Sequence, residues 1–230
     1  MKQIILLHGA IGAQDQLTPL ASQLTSLGYQ VFSFNFSGHG KTSFNNDFSI
    51  QQFSKELEQF ILNHQINKAT IFGYSMGGYV ALYLAFHKPE LIERIITLGT
   101  KFYWDEAIAQ KEIKMLNPQT IIEKVPKFAA QLQERHGENW QTLLKATEQM
   151  MLGLGKENAL QLHDYKNIKH PVLIGIADKD TMVSIEETTQ VVQQLPQSAM
   201  YMLPYSKHPI EQVNIHLLAQ HIDTFINRPI

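Results

Sequence analysis

Short, continuous apolar runs alternate along this chain with longer amphipathic stretches. Residues 4–7 form such a run, bounded by glycine, as expected for a strand that is buried on both faces. Leucines at spacings of three and four then predict a helix over 17–27 with one buried face. The alternation continues with strands over 31–34, 69–72 and 94–98 and helices over 49–61 and 79–86. Repeated strand–helix units predict a mainly parallel, doubly wound α/β sheet with helices on both faces.

The alternation stops after residue 99 and resumes near residue 170. Between these points the pattern predicts only helical pieces, separated by breaks that contain proline or glycine. Strands over 171–176 and 200–203 follow, which makes about six strands in all. Ser49 and Ser184, each with Gln or Glu three residues later, predict two helix starts, and apolar spacing predicts the last helix over 209–226. We therefore predict an α/β core made of residues 1–99 and 170–230, with residues 100–169 inserted as a helical cap.

Composition limits the classes of function. The 230 residues, 44% of them apolar, suit one domain with a sizeable core, and a net charge of −2 provides no broad cationic surface for nucleic acid. The absence of cysteine excludes disulfides and thiolate metal sites. Only four apolar residues precede the first polar break, so we expect neither a signal peptide nor a membrane span, and a cytoplasmic protein. Oligomeric state stays open.

Candidate chemistry begins at Gly73-Tyr74-Ser75-Met76-Gly77, a Gly-x-Ser-x-Gly motif between a predicted strand and a predicted helix. A serine on such a sharp turn has an exposed hydroxyl, and the amide after it faces any anion that forms there. Glycines on both sides remove Cβ atoms that would collide in the turn. The motif and its context predict Ser75 as a nucleophile.

A serine nucleophile needs a base, and the base needs an acid that orients it. In an open α/β sheet these groups come from loops at the carboxyl ends of strands. Of ten histidines, His208 alone follows a terminal strand in a short turn before a helix, so we predict it as the base. Asp178 and Asp180 both follow the strand over 171–176, and position alone leaves the acid open between them. No histidine has a metal-binding spacing, so we expect no metal.

Two segments resemble parts of nucleotide-binding motifs, but one lacks a residue and the other lacks the preceding strand that such a motif requires. Residues 38–42 end like a phosphate-binding loop, but Asn35 stands where that motif requires glycine. Residues 153–155 read Gly-Leu-Gly without a preceding strand, so they do not indicate a dinucleotide site. We therefore expect no cofactor.

Several motifs together resemble those of the α/β-hydrolase superfamily, specifically its small, capped, esterase-like members. The motifs are His8-Gly9, the Gly-His-Gly-Lys-Thr run over 38–42, the serine motif over 73–78, the Asp-Thr-Met-Val run over 180–183, and Ser-Lys-His over 206–208. The resemblance favours Asp180 over Asp178 as the acid. It also implies an oxyanion hole formed by the backbone amides of Ala10 and Met76.

Three positions depart from the pattern of that family. Ala177 stands where glycine is usual before the acid turn, and Asn35 opens a loop that usually begins with aspartate. The chain also starts at the strand before the oxyanion loop, so we expect the family's leading β-hairpin to be missing. The first two departures bear on loop geometry and the third on sheet size, and none removes a catalytic group.

The expected function is that of a serine hydrolase that cleaves a carboxylic ester or related acyl compound, a small molecule, through an acyl-enzyme on Ser75. A thioesterase, lactonase, carbon–carbon bond hydrolase, lyase or acyltransferase would use the same constellation, and a weakly catalytic ligand-binding signalling protein would retain it. The Met and aromatic content of the insert indicates an apolar substrate pocket. The residues expected to line it are Ile11, Tyr74, Phe102, Trp104, Trp140, Met150 and Met182.

Overall fold

The fold is built on one sheet of six parallel strands. The computed structural model describes residues 2–45 and 47–228. The strands are β1 (Gln3–Leu7), β2 (Gln30–Ser33), β3 (Ala69–Tyr74), β4 (Ile92–Leu98), β5 (Val172–Ala177) and β6 (Ser198–Leu203). Their order across the sheet is β2-β1-β3-β4-β5-β6, and every neighbouring pair is parallel. The predicted α/β class and strand number are confirmed.

Helices connect the strands, and side-chain caps define several of their first turns. They are α1 (Thr18–Ser26), α2 (Ile50–Asn63), α3 (Met76–His87), α4 (Glu106–Glu112), α5 (Pro118–Lys124), α6 (Pro126–His136), α7 (Trp140–Lys156), α8 (Ile185–Gln194) and α9 (Ile215–Ile226). The hydroxyls of Ser49 and Ser184 accept hydrogen bonds from amides in the first turns of α2 and α8, as predicted. Across the described ranges, no helix has both the length and the apolar character that a membrane crossing requires.

Both faces of the sheet are covered, which explains the continuous apolar runs. Side chains of successive strand residues point to opposite faces. Accordingly, Ile5 and Leu7 of β1 pack with α2 and α3, whereas Ile4 and Leu6 pack with α1 and α9. All four side chains are buried, so after the exposed Gln3 neither face of β1 has a polar position.

The chain between β4 and β5 consists of helices α4 to α7, short 3₁₀ turns and the loops that join them. All of its residues are described, and none of them belongs to a strand. Its buried side chains, including Ile121, Leu132 and Leu144, join the same apolar cluster as α2 and α3. The segment therefore packs over one face of the sheet and does not form a core of its own. The division into core and cap at residues 100–169 stays a prediction.

Two helix starts differ from the sequence-based expectation, and both matter for the site. Helix α3 begins at Met76, directly after Ser75, and not at residue 79. Glycine has a low helix propensity, so the sequence pattern does not indicate that Gly77 and Gly78 are helical. Without side chains, however, these two residues allow the first turn of α3 to pack closely on the sheet. Helix α9 begins only at Ile215, since Asn214 caps it and a 3₁₀ turn precedes it. The chain between β6 and α9 is therefore a long loop, and it carries His208.

Candidate active site

Ser75 occupies a strained turn between β3 and α3. Its backbone has φ 51° and ψ −116°, a region that L-residues rarely adopt and that costs free energy. The turn is held by a hydrogen bond from the Ser75 amide to the Leu98 carbonyl (2.8 Å) and by the Thr100 hydroxyl, which donates to the Ser75 carbonyl (3.0 Å). These contacts fix the serine at the carboxyl end of the sheet.

The glycines of the motif are required by close backbone contact. A Cβ atom at Gly73 would lie 2.3 Å from the Gly78 nitrogen, and one at Gly77 would lie 2.6 Å from the Leu7 carbonyl oxygen. Real Cβ atoms do not approach backbone atoms so closely, so a larger residue would displace α3 from the strands. The sequence motif is thus a direct consequence of how α3 packs on the sheet.

His208 and Asp180 form a buried acid–base pair. Nδ1 of His208 donates to Oδ2 of Asp180 at 2.7 Å, and the two side chains are only 11% and 1% exposed. Burial by itself would raise the pKa of Asp180, but the hydrogen bond from His208 and those from the Met182 and Val183 amides outweigh it and lower that pKa. The ionised carboxylate orients the imidazole and leaves Nε2 available.

Asp178 has a different place in the same turn. Its carboxylate is exposed and accepts a hydrogen bond from the Ser206 amide at 2.9 Å. Hydrogen bonds from the backbone of Tyr205 and Ser206 lower its pKa. Asp178 therefore ties the β5 loop to the β6 loop, whereas Asp180 contacts His208.

Two further residues support the pair from the sheet side. The Tyr74 hydroxyl donates to the His208 carbonyl at 3.0 Å, and burial raises the pKa of that hydroxyl. Gly99 has φ 61°, and a Cβ atom there would lie 3.3 Å from Nδ1 of His208 and 3.4 Å from Oδ2 of Asp180. Tyr74, expected to line the pocket, instead contacts the loop that carries His208.

A narrow, mainly apolar pocket of about 40 Å³ opens beside Ser75. It brings together most of the residues that the sequence singled out for chemistry, namely Ala10, Ser75, Met76 and His208, with Trp104, Met150 and Met182 of the expected pocket lining. Lining residues that the sequence reasoning missed are Ile50, Tyr79, Lys101, Met151, Leu154 and Val183. Leu154 lies four residues after Met150 on α7, so helical spacing offered a signal for it.

Besides Tyr74, three more of the expected lining residues lie outside this pocket. Ile11 is partly buried in the loop after β1, next to Ala10. Phe102 is buried edge-on against Tyr165, with ring centroids 5.9 Å apart. Trp140 is buried in the first turn of α7. Their large apolar side chains pack within the structure, which the amino-acid type alone does not distinguish from lining a pocket.

The two expected oxyanion donors lie on the pocket wall. The amide of Met76 is the first of α3, so it has no acceptor within the helix. Ala10 lies in a turn closed by a hydrogen bond from the Gly12 amide to the Gly9 carbonyl (3.1 Å). Across the described ranges, no three His, Cys, Asp or Glu side chains are grouped as metal ligands.

The chain matches one family model and several known proteins. The family model described as alpha/beta hydrolase fold matches residues 2–141. The uncharacterized hydrolase YugF of Bacillus subtilis is 21% identical over 246 residues, which cover 97% of this chain and 89% of that protein. The sn-1-specific diacylglycerol lipase ABHD11 of Mus musculus is 27% identical over 96 residues, 41% of this chain and 31% of that protein.

Solved structures agree in fold. The structure of MenH from S. aureus superposes with a TM-score of 0.79 at 19% identity, covering 98% of this chain and 93% of that one. At this identity the likeness describes the fold alone. Since the family model spans more than half of the chain, and the six parallel strands with their flanking helices match it, the chain belongs to the α/β hydrolase fold family.

Proposed function

We propose that this protein is a serine hydrolase that cleaves a carboxylic ester or a related acyl compound. The observation that carries the proposal is the 2.7 Å hydrogen bond between His208 and Asp180, located at the pocket that Ser75 also lines. A strained serine turn, a buried imidazole and an ionised carboxylate are the three components that nucleophilic acyl transfer requires.

The proposed reaction has two steps. Ser75 Oγ attacks the acyl carbon while Nε2 of His208 takes its proton and then delivers it to the leaving group, which leaves an acyl-enzyme. Water then attacks the acyl-enzyme, with His208 as general base, and releases the acid and free Ser75. Asp180 stabilises the imidazolium in both steps. The amides of Ala10 and Met76 stabilise each tetrahedral oxyanion, and losing one such donor typically costs about 100- to 1,000-fold in rate.

The shape and chemistry of the pocket support a small, apolar acyl group. Its lining is mainly methionine, leucine and aromatic side chains, and its volume is about 40 Å³. We therefore propose acetyl or butyryl esters as better substrates than long-chain esters. The names hydrolase and diacylglycerol lipase, borne by two relatives, support ester cleavage in general terms.

The test combines active-site labelling with hydrolysis of p-nitrophenyl acetate and butyrate. We expect a fluorophosphonate probe to label the wild type, and Ser75→Ala to abolish both labelling and turnover while leaving the thermal melt nearly unchanged. The matched control is Ser26→Ala, which removes an exposed hydroxyl at the end of α1 and should change neither readout. Wild-type turnover by the Ser75→Ala variant would contradict the proposal.

The same experiment separates the alternatives. Faster turnover of acyl thioesters than of the matched oxygen esters would identify a thioesterase. A wild-type protein that neither takes the label nor hydrolyses any member of the ester and thioester panel would indicate a ligand-binding protein on this fold.

A further inference from the structure

His136 belongs to the helical segment between β4 and β5, yet its imidazole is buried between two loops of the sheet. It is the last residue of α6 and is 2% exposed. Its Nε2 lies 2.9 Å from the Ile11 carbonyl, and its Nδ1 lies 2.9 Å from the Gly40 amide. A carbonyl accepts and an amide donates, so the ring must be neutral with its proton on Nε2. Burial, which lowers the pKa of His136, favours the same neutral form.

The Ile11 peptide needs such support. Ile11 has φ 51°, and a β-branched residue in this left-handed region is a strained outlier. Ile11 and Ala10 are the two central residues of the turn that the Gly12 amide closes on the Gly9 carbonyl. If the Ile11 peptide rotated toward a relaxed conformation, the turn would change and the amide of Ala10 would point elsewhere.

We propose that His136 is a positioning residue for the oxyanion hole. Its imidazole holds the Ile11 carbonyl and thereby aims the Ala10 amide at the reacting carbonyl oxygen. This inference rests on the proposed serine hydrolase function. It makes the oxyanion hole dependent on one hydrogen bond from the helical segment, the one from His136 to the loop after β1.

Arg135, the neighbour of His136, offers a natural control. Its guanidinium pairs with Asp15 at 3.1 Å and with Glu211 at 3.6 Å, so it also joins the end of α6 to the loops after β1 and β6. These ion pairs involve side chains and not the Ile11 peptide. Loss of Arg135 therefore tests docking of the helix end separately from the hydrogen bond to the loop.

Two substitutions separate the two hydrogen bonds of His136. Glutamine places its amide nitrogen near the position of Nε2, so His136→Gln retains the donor to Ile11. Asparagine places its amide oxygen near the position of Nδ1, so His136→Asn retains the acceptor for Gly40. Each variant loses one buried hydrogen bond, so we expect similar thermal melts.

The proposal predicts that the two His136 variants differ in kcat although their thermal stabilities are similar. For p-nitrophenyl butyrate we expect His136→Asn to lower kcat by about tenfold or more, with KM changed less than about threefold, because a misaimed donor affects the transition state and not substrate binding. His136→Gln and Arg135→Gln should retain kcat within about threefold. Long-range proton–nitrogen NMR of the wild type at neutral pH should show His136 protonated at Nε2 alone.

Several results would overturn the inference. They are unchanged kcat in His136→Asn, equal losses in the Asn and Gln variants, an equal loss in Arg135→Gln, or an Nδ1-protonated or doubly protonated ring in the NMR spectrum. The last observation requires no variant to fold. A wild type that neither takes the label nor turns over contradicts the proposed function and this inference together, whereas an active wild type with an unimpaired Asn variant contradicts this inference alone.

Discussion

Two carboxylates only two residues apart have different environments at the candidate site. Asp180 is almost fully buried and receives hydrogen bonds from His208 and from the amides of Met182 and Val183. Asp178 is exposed and binds the Ser206 amide. A buried carboxylate can fix the tautomer of an imidazole and stabilise its cation, whereas an exposed one in a turn stabilises mainly its own loop.

This difference predicts unequal effects of two matched substitutions. Asp180→Asn should lower kcat for p-nitrophenyl butyrate by roughly 10³- to 10⁴-fold, because the amide would favour the wrong tautomer of His208. Asp178→Asn should leave kcat within about threefold of the wild type and affect mainly stability. Steady-state kinetics and thermal melts of both variants check the prediction, and a larger kinetic loss in Asp178→Asn would assign the acid role to that residue.

At the scale of elements, the contact between β3 and α3 controls the geometry of the serine turn. Gly73 packs directly against the backbone of Gly77 and Gly78. A Cβ atom at Gly78 would lie 2.1 Å from the Thr100 hydroxyl. That hydroxyl in turn binds the Ser75 carbonyl. The first turn of α3, the end of β3 and the loop after β4 are thus packed without space for one methyl group.

Glycine-to-alanine substitutions should therefore have opposite effects in α7 and at the serine turn. At Gly73 the added Cβ would lie 2.3–2.5 Å from backbone atoms, which cannot move independently, so we expect a loss of about 1–3 kcal/mol or more in the free energy of unfolding. Gly153→Ala, within α7, meets no atom within 4 Å and should add about 0.5–1 kcal/mol. Chemical denaturation of both variants tests this, and equal effects would contradict it.

At the scale of the whole molecule, three histidines are buried where loops of the sheet and the helical segment meet. Burial is the main cause that lowers the pKa of His8 to about 4, and it also lowers the pKa values of His39 and His136. The His8 ring lies between the Gly9 carbonyl and the Phe36 amide, which again requires a neutral imidazole. These rings join the loops that surround the pocket into one packed unit.

The buried histidines predict that stability falls as the pH falls below about 6.5. A histidine whose pKa is lowered by folding binds its proton more readily in the unfolded chain, so the free energy of unfolding rises with pH between the folded and unfolded values. For His8 this window runs from about 4 to 6.5, and the loss across it is roughly 3 kcal/mol.

Denaturation between pH 4 and 7 measures this slope. His8→Asn retains a donor for the Gly9 carbonyl but cannot titrate in this range, so the slope should decrease. The control is His163→Gln, which changes a histidine whose side chain is 73% exposed. A wild-type stability that stays constant from pH 7 to pH 4 would contradict the prediction.

Much of the fold could be predicted from local patterns. Continuous apolar runs such as residues 4–7 correspond to strands with two buried faces, and Ser49 and Ser184 marked helix starts because capping depends on neighbours three residues away. The start of α9 could not be predicted in this way. Apolar spacing suggested a start at residue 209. In the structure residues 210–212 form a 3₁₀ turn instead, and the side chain of Asn214 caps a helix that begins at Ile215.

The α/β class, the six strands and the residue types that make a serine–histidine–aspartate arrangement possible follow from the sequence, because each depends on local periodicity or on a short motif. Which side chains meet depends on the packed fold. It brought Asp180 to His208 across 28 residues, turned Tyr74 toward the backbone of His208, and buried His136 against Ile11, 125 residues away. Such contacts depend on how helices and loops pack over the sheet, and spacing along the chain does not encode that packing.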